Sequence, residues 1–377
     1  MMGKTQGVSI MNPTAGNIRT SQRNYGIDLL RLVAAFYVIV LHTMNRGGIY
    51  EATADYSYQN LFGRLLLIVS YCAVNIFGII SGYVGYREPL KKTSYEGYLP
   101  LWLTVVFYGV VFAVFYGFTL PGAVTGQDFL QTFFPVTCNL YWYFSSYTLV
   151  YLFSPFLNKL IYHASEGELK KLFLLIVGMV ATIEFVNNSF DMDHGYSAHW
   201  LVLLYLVGGI MKKTGIRSKL SVPAATCGIL LLDLCFLFVG VKWPEVYLFG
   251  FNINFNFNRT YITPFYLGAA ILHVILFAKF RFPEWINKVI AFAAPAAFSV
   301  YIVNTNPLFW VYFMENRFVS WAASSPVGLV GRTILFSLGF VVAVVFVDFL
   351  RQQLFRLLGV KNWARKLSAR FQKDTAV

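Results

Sequence analysis

Apolar blocks of about 17–25 residues recur along the whole chain, each roughly long enough to cross the hydrocarbon core of a bilayer. No long polar segment separates them, so the 377 residues read as one bundle rather than two or three soluble domains. Only 12% of the residues are charged, against about 25% in a soluble domain. The expected fold class is therefore all-α: a polytopic transmembrane helical bundle of about ten spans. Their approximate limits are 28–47, 61–85, 99–118, 139–160, 171–187, 198–211, 222–240, 261–278, 289–311 and 327–350.

A net charge of +13 raises the possibility of nucleic acid, but its placement speaks for topology. If the spans alternate in direction, 24 of the 30 Lys and Arg residues fall on one side, from Lys4 through Lys171 and Lys219 to the tail. The other side holds Arg46, Arg64, Lys242, Arg259, Arg317 and Arg332. Excess Lys and Arg mark the cytoplasmic face, so both termini are expected there, with some attraction to anionic membrane lipid. No nucleic-acid partner is expected.

The chain divides into three parts: a polar arm over 1–24, a transmembrane domain over 25–350, and a basic tail over 351–377 that reads as an amphipathic helix on the inner leaflet. The arm lacks the features of a cleavable signal peptide, and the first span is read as an uncleaved anchor. The four cysteines have no metal-ligand spacing and read as small core residues. On the outer side, 251–258 alternates Phe with Asn, which predicts an extended or hairpin segment. Its rings and amides fit sugar contact, or an interfacial aromatic belt. Glu184 is an intramembrane acid without an obvious partner. Asp191, Asp193, His194 and His199 share a loop without settled metal geometry, and no metal site is expected.

The first span carries the sharpest chemical signal. In DLLRLVAAFYVIVLHT, Arg31 and His42 are eleven residues apart, a rotation of about three turns plus roughly 20°, so both lie on one helix face with Asp28. The axial rise between them is about 16 Å, which puts Arg31 near the cytoplasmic mouth and His42 in the outer half of the membrane. Ionisable groups at that depth usually face a cavity or a partner. Packing against a neighbouring helix is the other reading for His42, and pairing with Asp28 for Arg31.

That spacing, within NYGIDLLRLVAAFYVIVLHT, resembles the first-helix signature of the membrane acyltransferase-3 family. VNIFGIISGYVGY (74–86), YWYFSSYTLVYLFSPFLNKL (141–160) and AAFSVYIVNTNPLFW (296–310) resemble three further elements of that family, in order. The resemblance implies an integral membrane O-acyltransferase. It would move an acyl group, commonly acetyl, from acetyl-CoA as co-substrate to a hydroxyl of a cell-surface glycan or lipid-linked sugar. It also implies the bacterial plasma membrane as the location and no permanently bound cofactor.

On that reading His42 is the catalytic base or acyl carrier, and Arg31, Arg87, Lys91 and Lys92 meet the CoA phosphates. Trp142, Tyr143, Asn304 and Asn306 are the expected acceptor contacts. Two departures stand out. Asn304 occupies a position where the family commonly has His, and an R-x-x-R pair near the third span is missing from REPLKKTSYEGY. Ser81-Gly82 reads as a close-packing pair or as part of an acyl path. A carrier or flippase for a lipid-linked sugar, or a non-catalytic relative, is the rival function.

Overall fold

The computed structural model describes residues 23–90, 95–216, 220–257 and 260–374. It is helical almost throughout. In chain order come α1 (Tyr25–Asn45), α2 (Tyr58–Tyr71), α3 (Ala73–Gly85), α4 (Tyr98–Thr119), α5 (Gly126–Gln131) and α6 (Trp142–His163). Next are α7 (Glu166–Leu174), α8 (Ala181–Asn187), α9 (Ala198–Thr214) and α10 (Val222–Lys242). The hairpin β1 (Glu245–Leu248) and β2 (Phe251–Asn254) precedes α11 (Pro264–Lys279), α12 (Glu284–Ala293) and α13 (Ala297–Asn304). The last helices are α14 (Pro307–Phe309), α15 (Pro326–Leu357) and α16 (Val360–Asp374).

Among the described residues, six helical stretches are long and apolar enough to cross a membrane: α1, α2 with α3, α4, α10, α12 with α13, and α15. The other four expected spans are helical but fall short by length or polarity. A π-helical turn at Leu175–Val180 divides the fifth between α7 and α8. α9 and α11 have 17 and 16 residues, under the ~20 that a straight span needs. α6 interrupts its apolar run with Ser, Thr, Asn and Pro155.

Most helices begin on a side chain that satisfies a free first-turn amide. Asn24, Ser57, Ser165, Ser197, Ser221, Thr263 and Ser325 each accept a backbone N–H from two or three residues into the helix. α6, whose N-cap residue is Tyr141, has no side-chain cap, as is also true of α3, α4, α8, α12 and α13.

The core is built on α9, whose buried face includes the fully enclosed Trp200, packed on α3. Small residues set that contact. A Cβ on Gly82 would meet the Tyr205 carbonyl oxygen at 1.8 Å, and one on Gly208 would meet the Ile79 carbonyl oxygen at 1.9 Å. Gly82 and Gly208 therefore let two backbones touch, as membrane helices do when small residues face each other. The outside is apolar instead. α15 exposes Leu335, Val342, Phe346 and Leu350 along one face, which suits contact with lipid tails.

Three expectations change. Cys72 is buried, but Cys138, Cys227 and Cys235 are exposed, the last two on the outward face of α10. α15 runs past residue 350, so Arg351 belongs to the buried bundle, and the amphipathic helix of the tail begins only at Val360. The hairpin forms in antiparallel register with Val246 opposite Ile253. However, the Asn252 and Asn254 amides bond the Glu245 carboxylate across it and do not make a free amide face.

Candidate active site

A cavity of about 240 Å³ opens between the C-terminal half of α1, the start of α6 and the end of α13. His42 stands on its wall with Tyr141, Trp142, Tyr143, Tyr301 and Trp310. The volume is below the ~300–1,000 Å³ of drug-sized pockets, so it fits reacting groups rather than a whole oligosaccharide.

His42 is placed by helical periodicity on α1 and held by contacts from the far end of the chain. Its Nδ1 hydrogen-bonds the Asn304 side-chain oxygen, and the Trp310 ring meets the imidazole edge-on with centroids 5.0 Å apart. With the amide oxygen facing Nδ1, that nitrogen carries the proton and donates it. Nε2 then keeps its lone pair. An imidazole held in this tautomer can take a proton from a hydroxyl.

Asn304 and Asn306 are buried beside the cavity and are not among its lining side chains. The Asn306 oxygen accepts from the backbone amides of Leu308 and Phe309, and its NH₂ donates to the Tyr141 hydroxyl at 2.9 Å. All of its groups are spent on the turn after α13 and on holding Tyr141. The chain breaks helix there because Pro307 cannot continue α13, and Asn306 caps the short helix α14 instead.

Trp142 and Tyr143 do line the cavity. Trp142 packs on Tyr196 and Tyr261 at 4.7 and 6.2 Å, and Tyr196 on Tyr261 at 4.9 Å, so a ladder of rings leads outward. Burial, ahead of the nearby Asp193 carboxylate, pushes the Tyr196 phenol above its usual range and keeps it a neutral hydroxyl. At the outer rim Arg46 lies over the Trp310 ring at 4.9 Å and pairs with Glu315 at 3.8 Å, both half-exposed.

The cationic candidates lie apart from this cavity. Arg31 donates to Asp28 at 2.7 Å, and Arg23 reaches the same carboxylate at 2.5 Å. The Tyr147 phenol neighbours the Ser81 hydroxyl, and its ring stacks on that of Tyr143 with centroids 6.2 Å apart. Arg87 is exposed, with its Nε donating to the Val84 carbonyl at 3.4 Å. Lys91 and Lys92 lie outside the described residues. Elsewhere, Glu184 finds its partners in the loop after α8: its carboxylate accepts the Phe190 and Met192 amides at 2.8 and 2.9 Å. The His194 carbonyl accepts from Tyr261 and Thr260, a backbone role.

Reading residue types in sequence missed Tyr141, Tyr301 and Trp310. Only Tyr301 had a usable signal, one helical turn before Asn304 and so on the same face.

The fold and cavity define a multi-pass membrane protein whose buried aromatic site presents a tautomer-fixed histidine. A model of an acyltransferase domain matches residues 24–351, and the chain belongs to the acyltransferase-3 family of membrane acyltransferases. Neither a curated protein nor a solved structure matched the chain.

Proposed function

We propose that this protein moves an acetyl group from acetyl-CoA to a hydroxyl of a cell-surface glycan, or of its lipid-linked precursor, in a bacterial plasma membrane. The observation that carries this reading is the His42 imidazole, held through Nδ1 by Asn304 at a buried cavity, with Nε2 left as base. The acceptor oxygen attacks the thioester carbonyl carbon as Nε2 takes its proton. The C–S bond then breaks, and the leaving CoA thiolate recovers that proton from Nε2. The departure at Asn304 fits this scheme, because an amide oxygen orients the base without itself titrating. Trp142 and the ring ladder would stack the sugar from the outer side.

The same reading takes the chain across the membrane ten times with both termini inside. α9 and α11 are then sheltered inside the bundle, α6 and the α7–α8 stretch turn apolar side chains such as Phe156 and Leu174 outward to lipid, and the 24-to-6 split of basic residues sets the orientation. The CoA phosphates would sit at the inner mouth near Arg31, and the pantetheine arm would pass Tyr147 and Ser81.

Membrane vesicles carrying the protein, given radiolabelled acetyl-CoA and a lipid-linked glycan extract, are expected to move label into the glycan as an alkali-labile ester. Label that never leaves the CoA fraction, or that moves equally in vesicles without the protein, sinks the reading.

The inner mouth has its own test. Truncating one member of a buried charge pair costs about 2–5 kcal/mol at interfaces. Arg31→Ala is therefore expected to weaken CoA binding roughly 30-fold or more, using about 1.4 kcal/mol per tenfold. Calorimetric titration of CoA into detergent-purified protein measures it. Equal affinity in the variant would leave Arg31 only its bond to Asp28.

A further inference from the structure

Four acidic side chains are buried among the described residues, and three of them have their charge answered. Asp28 holds Arg23 and Arg31, Glu184 accepts the Phe190 and Met192 amides, and Asp348 binds Arg351, Gln352 and two hydroxyls. The fourth, Asp233, is 4% exposed and makes neither a hydrogen bond nor an ion pair. We propose that Asp233 is a proton-binding site in the middle of the membrane, a carboxylic acid that holds its proton at neutral pH and can exchange it.

Helical periodicity puts it there. Asp233 lies halfway along the 21 residues of α10, a helix long and apolar enough to span a bilayer. Ala225, Ile229, Asp233, Phe236 and Gly240 recur at spacings of three and four and form the buried stripe of that helix. Leu230, Leu231 and Leu234 point the other way and are exposed, as suits lipid contact. The carboxyl is therefore turned into the bundle, where α10 packs on α2 and α11. An acid at such depth marks a proton or ion path by default.

Its surroundings answer no charge. The titratable groups that face it are Tyr37 of α1, Cys72 at the junction of α2 and α3, and Tyr266 of α11. Each spends its proton elsewhere. The Tyr37 hydroxyl faces His273 Nε2 at 3.4 Å, the Cys72 thiol meets the Val69 carbonyl at 3.3 Å, and the Tyr266 hydroxyl donates to the Phe257 carbonyl at 2.8 Å. His273 in turn uses Nδ1 on the Ala269 carbonyl. The cations of the packed helices are turned away. Arg64 of α2 donates to the Gly240 carbonyl at 3.3 Å, two turns of α10 from Asp233, and lies over the Phe257 ring. Lys279 of α11 donates to the Leu220 carbonyl, before α10 begins.

An isolated carboxylate in apolar surroundings is too costly to keep its charge, and such a group is neutralised instead. A bound metal ion would do this less well than a proton. Hard cations take about six or more oxygen ligands. Here two phenols and a thiol are the side-chain groups at hand, and all three are engaged. A proton needs only the carboxyl itself.

This site is separate from the His42 cavity. Tyr37 and His42 are five residues apart, a rotation of about 140° around α1, and Tyr37 does not line that cavity. Acyl transfer from a thioester to a hydroxyl consumes no proton overall, so Asp233 stands outside that step, whether or not the protein transfers acyl groups.

Two measurements on the full-length protein test the site. In ester-free detergent at neutral pH, the infrared spectrum is expected to contain the carbonyl band of a protonated carboxylic acid, and Asp233→Asn, nearly the same in shape, is expected to lack it. The parent should lose the band as pH rises, so the result stands even if the variant fails to fold. In membrane vesicles, dicyclohexylcarbodiimide partitions into lipid and reacts with carboxylic acids. The acid proton passes to one carbodiimide nitrogen and the carboxyl oxygen bonds the central carbon. The acyl group then shifts from that oxygen to the other nitrogen, which leaves a stable acylurea with no atom lost. Peptide mass spectrometry should find this adduct on Asp233 and not on Asp28, Glu184 or Asp348. Its yield should fall about tenfold per pH unit once ionisation sets in, as one proton requires. A parent spectrum without the acid band at neutral pH overturns the proposal. So does protection from labelling by sodium or calcium chloride at fixed pH and ionic strength, which would assign a metal ion instead. Equal labelling by a water-soluble carbodiimide would also overturn it, by placing the carboxyl in contact with bulk water.

Discussion

His42→Gln is expected to cut acyl transfer by about 10²–10⁴-fold, the range that a positioned general base contributes. Glutamine is close in size and keeps a hydrogen-bonding group near Asn304, but its amide cannot take a proton. Yield, thermal stability in detergent and CoA affinity are expected to stay near wild type, because Arg31 is about 16 Å away along α1. In the parent protein the rate should rise with pH and level off once the imidazole is neutral, and the variant should lose that dependence. His273→Gln is the control. That histidine is also buried in the bundle, but it bonds the Ala269 carbonyl at 2.8 Å and does not line the cavity. A His42→Gln protein that acetylates at the parent rate would show that the imidazole is a packing element gripped by Asn304, not a base.

What made His42 visible in sequence was its cost. An imidazole in an apolar helix needs a reason, and the 3.6-residue period says which face it shares with Arg31 and Asp28. The ring pair Trp142 and Tyr143 was visible as aromatics at a helix mouth. The residue type of Asn306 is equally suited to sugar and to a turn. Only the fold shows its amide committed to Leu308, Phe309 and Tyr141. Tyr301 could not be separated from the other 23 tyrosines by composition, since what distinguishes it is its buried place on the cavity wall against Tyr143 of α6. The π turn at Leu175–Val180 has no residue signature in LIVGMV, because an i→i+5 bond uses the same backbone groups as an α-helix. The Phe–Asn alternation did predict the hairpin, since period two fixes which side chains share a face. It did not predict that Glu245 would claim the amides.

Assigning Arg351 to the tail hid a network on which the site depends. Asp348 is fully buried on α15 and accepts five hydrogen bonds. They come from Arg351 Nε at 2.6 Å and Nη2 at 3.1 Å, Gln352 at 2.7 Å, Tyr108 at 3.0 Å and Ser299 at 2.5 Å. Three helices, α4, α13 and α15, are thereby joined through one carboxylate. Asp348→Ala would strand a buried guanidinium and two hydroxyls, and removing one partner of a buried ion pair costs about 3–5 kcal/mol. Unfolding of purified protein in mixed micelles should show a loss of that size. The pair itself need not be stabilising. Asp348→Leu combined with Arg351→Met leaves no unpaired charge and should recover most of the loss, because apolar replacements of buried pairs are often neutral or better. Function should take a different course. Ser299 lies two residues before Tyr301 and five before Asn304, so its bond to Asp348 fixes the depth and rotation of the helix that orients His42 and carries Tyr301. The double variant is thus expected to fold well yet transfer acyl groups more slowly than the parent. A loss below about 1 kcal/mol in Asp348→Ala would mean that water or lipid headgroups reach Arg351. The network would then be a surface feature, with no hold on α13.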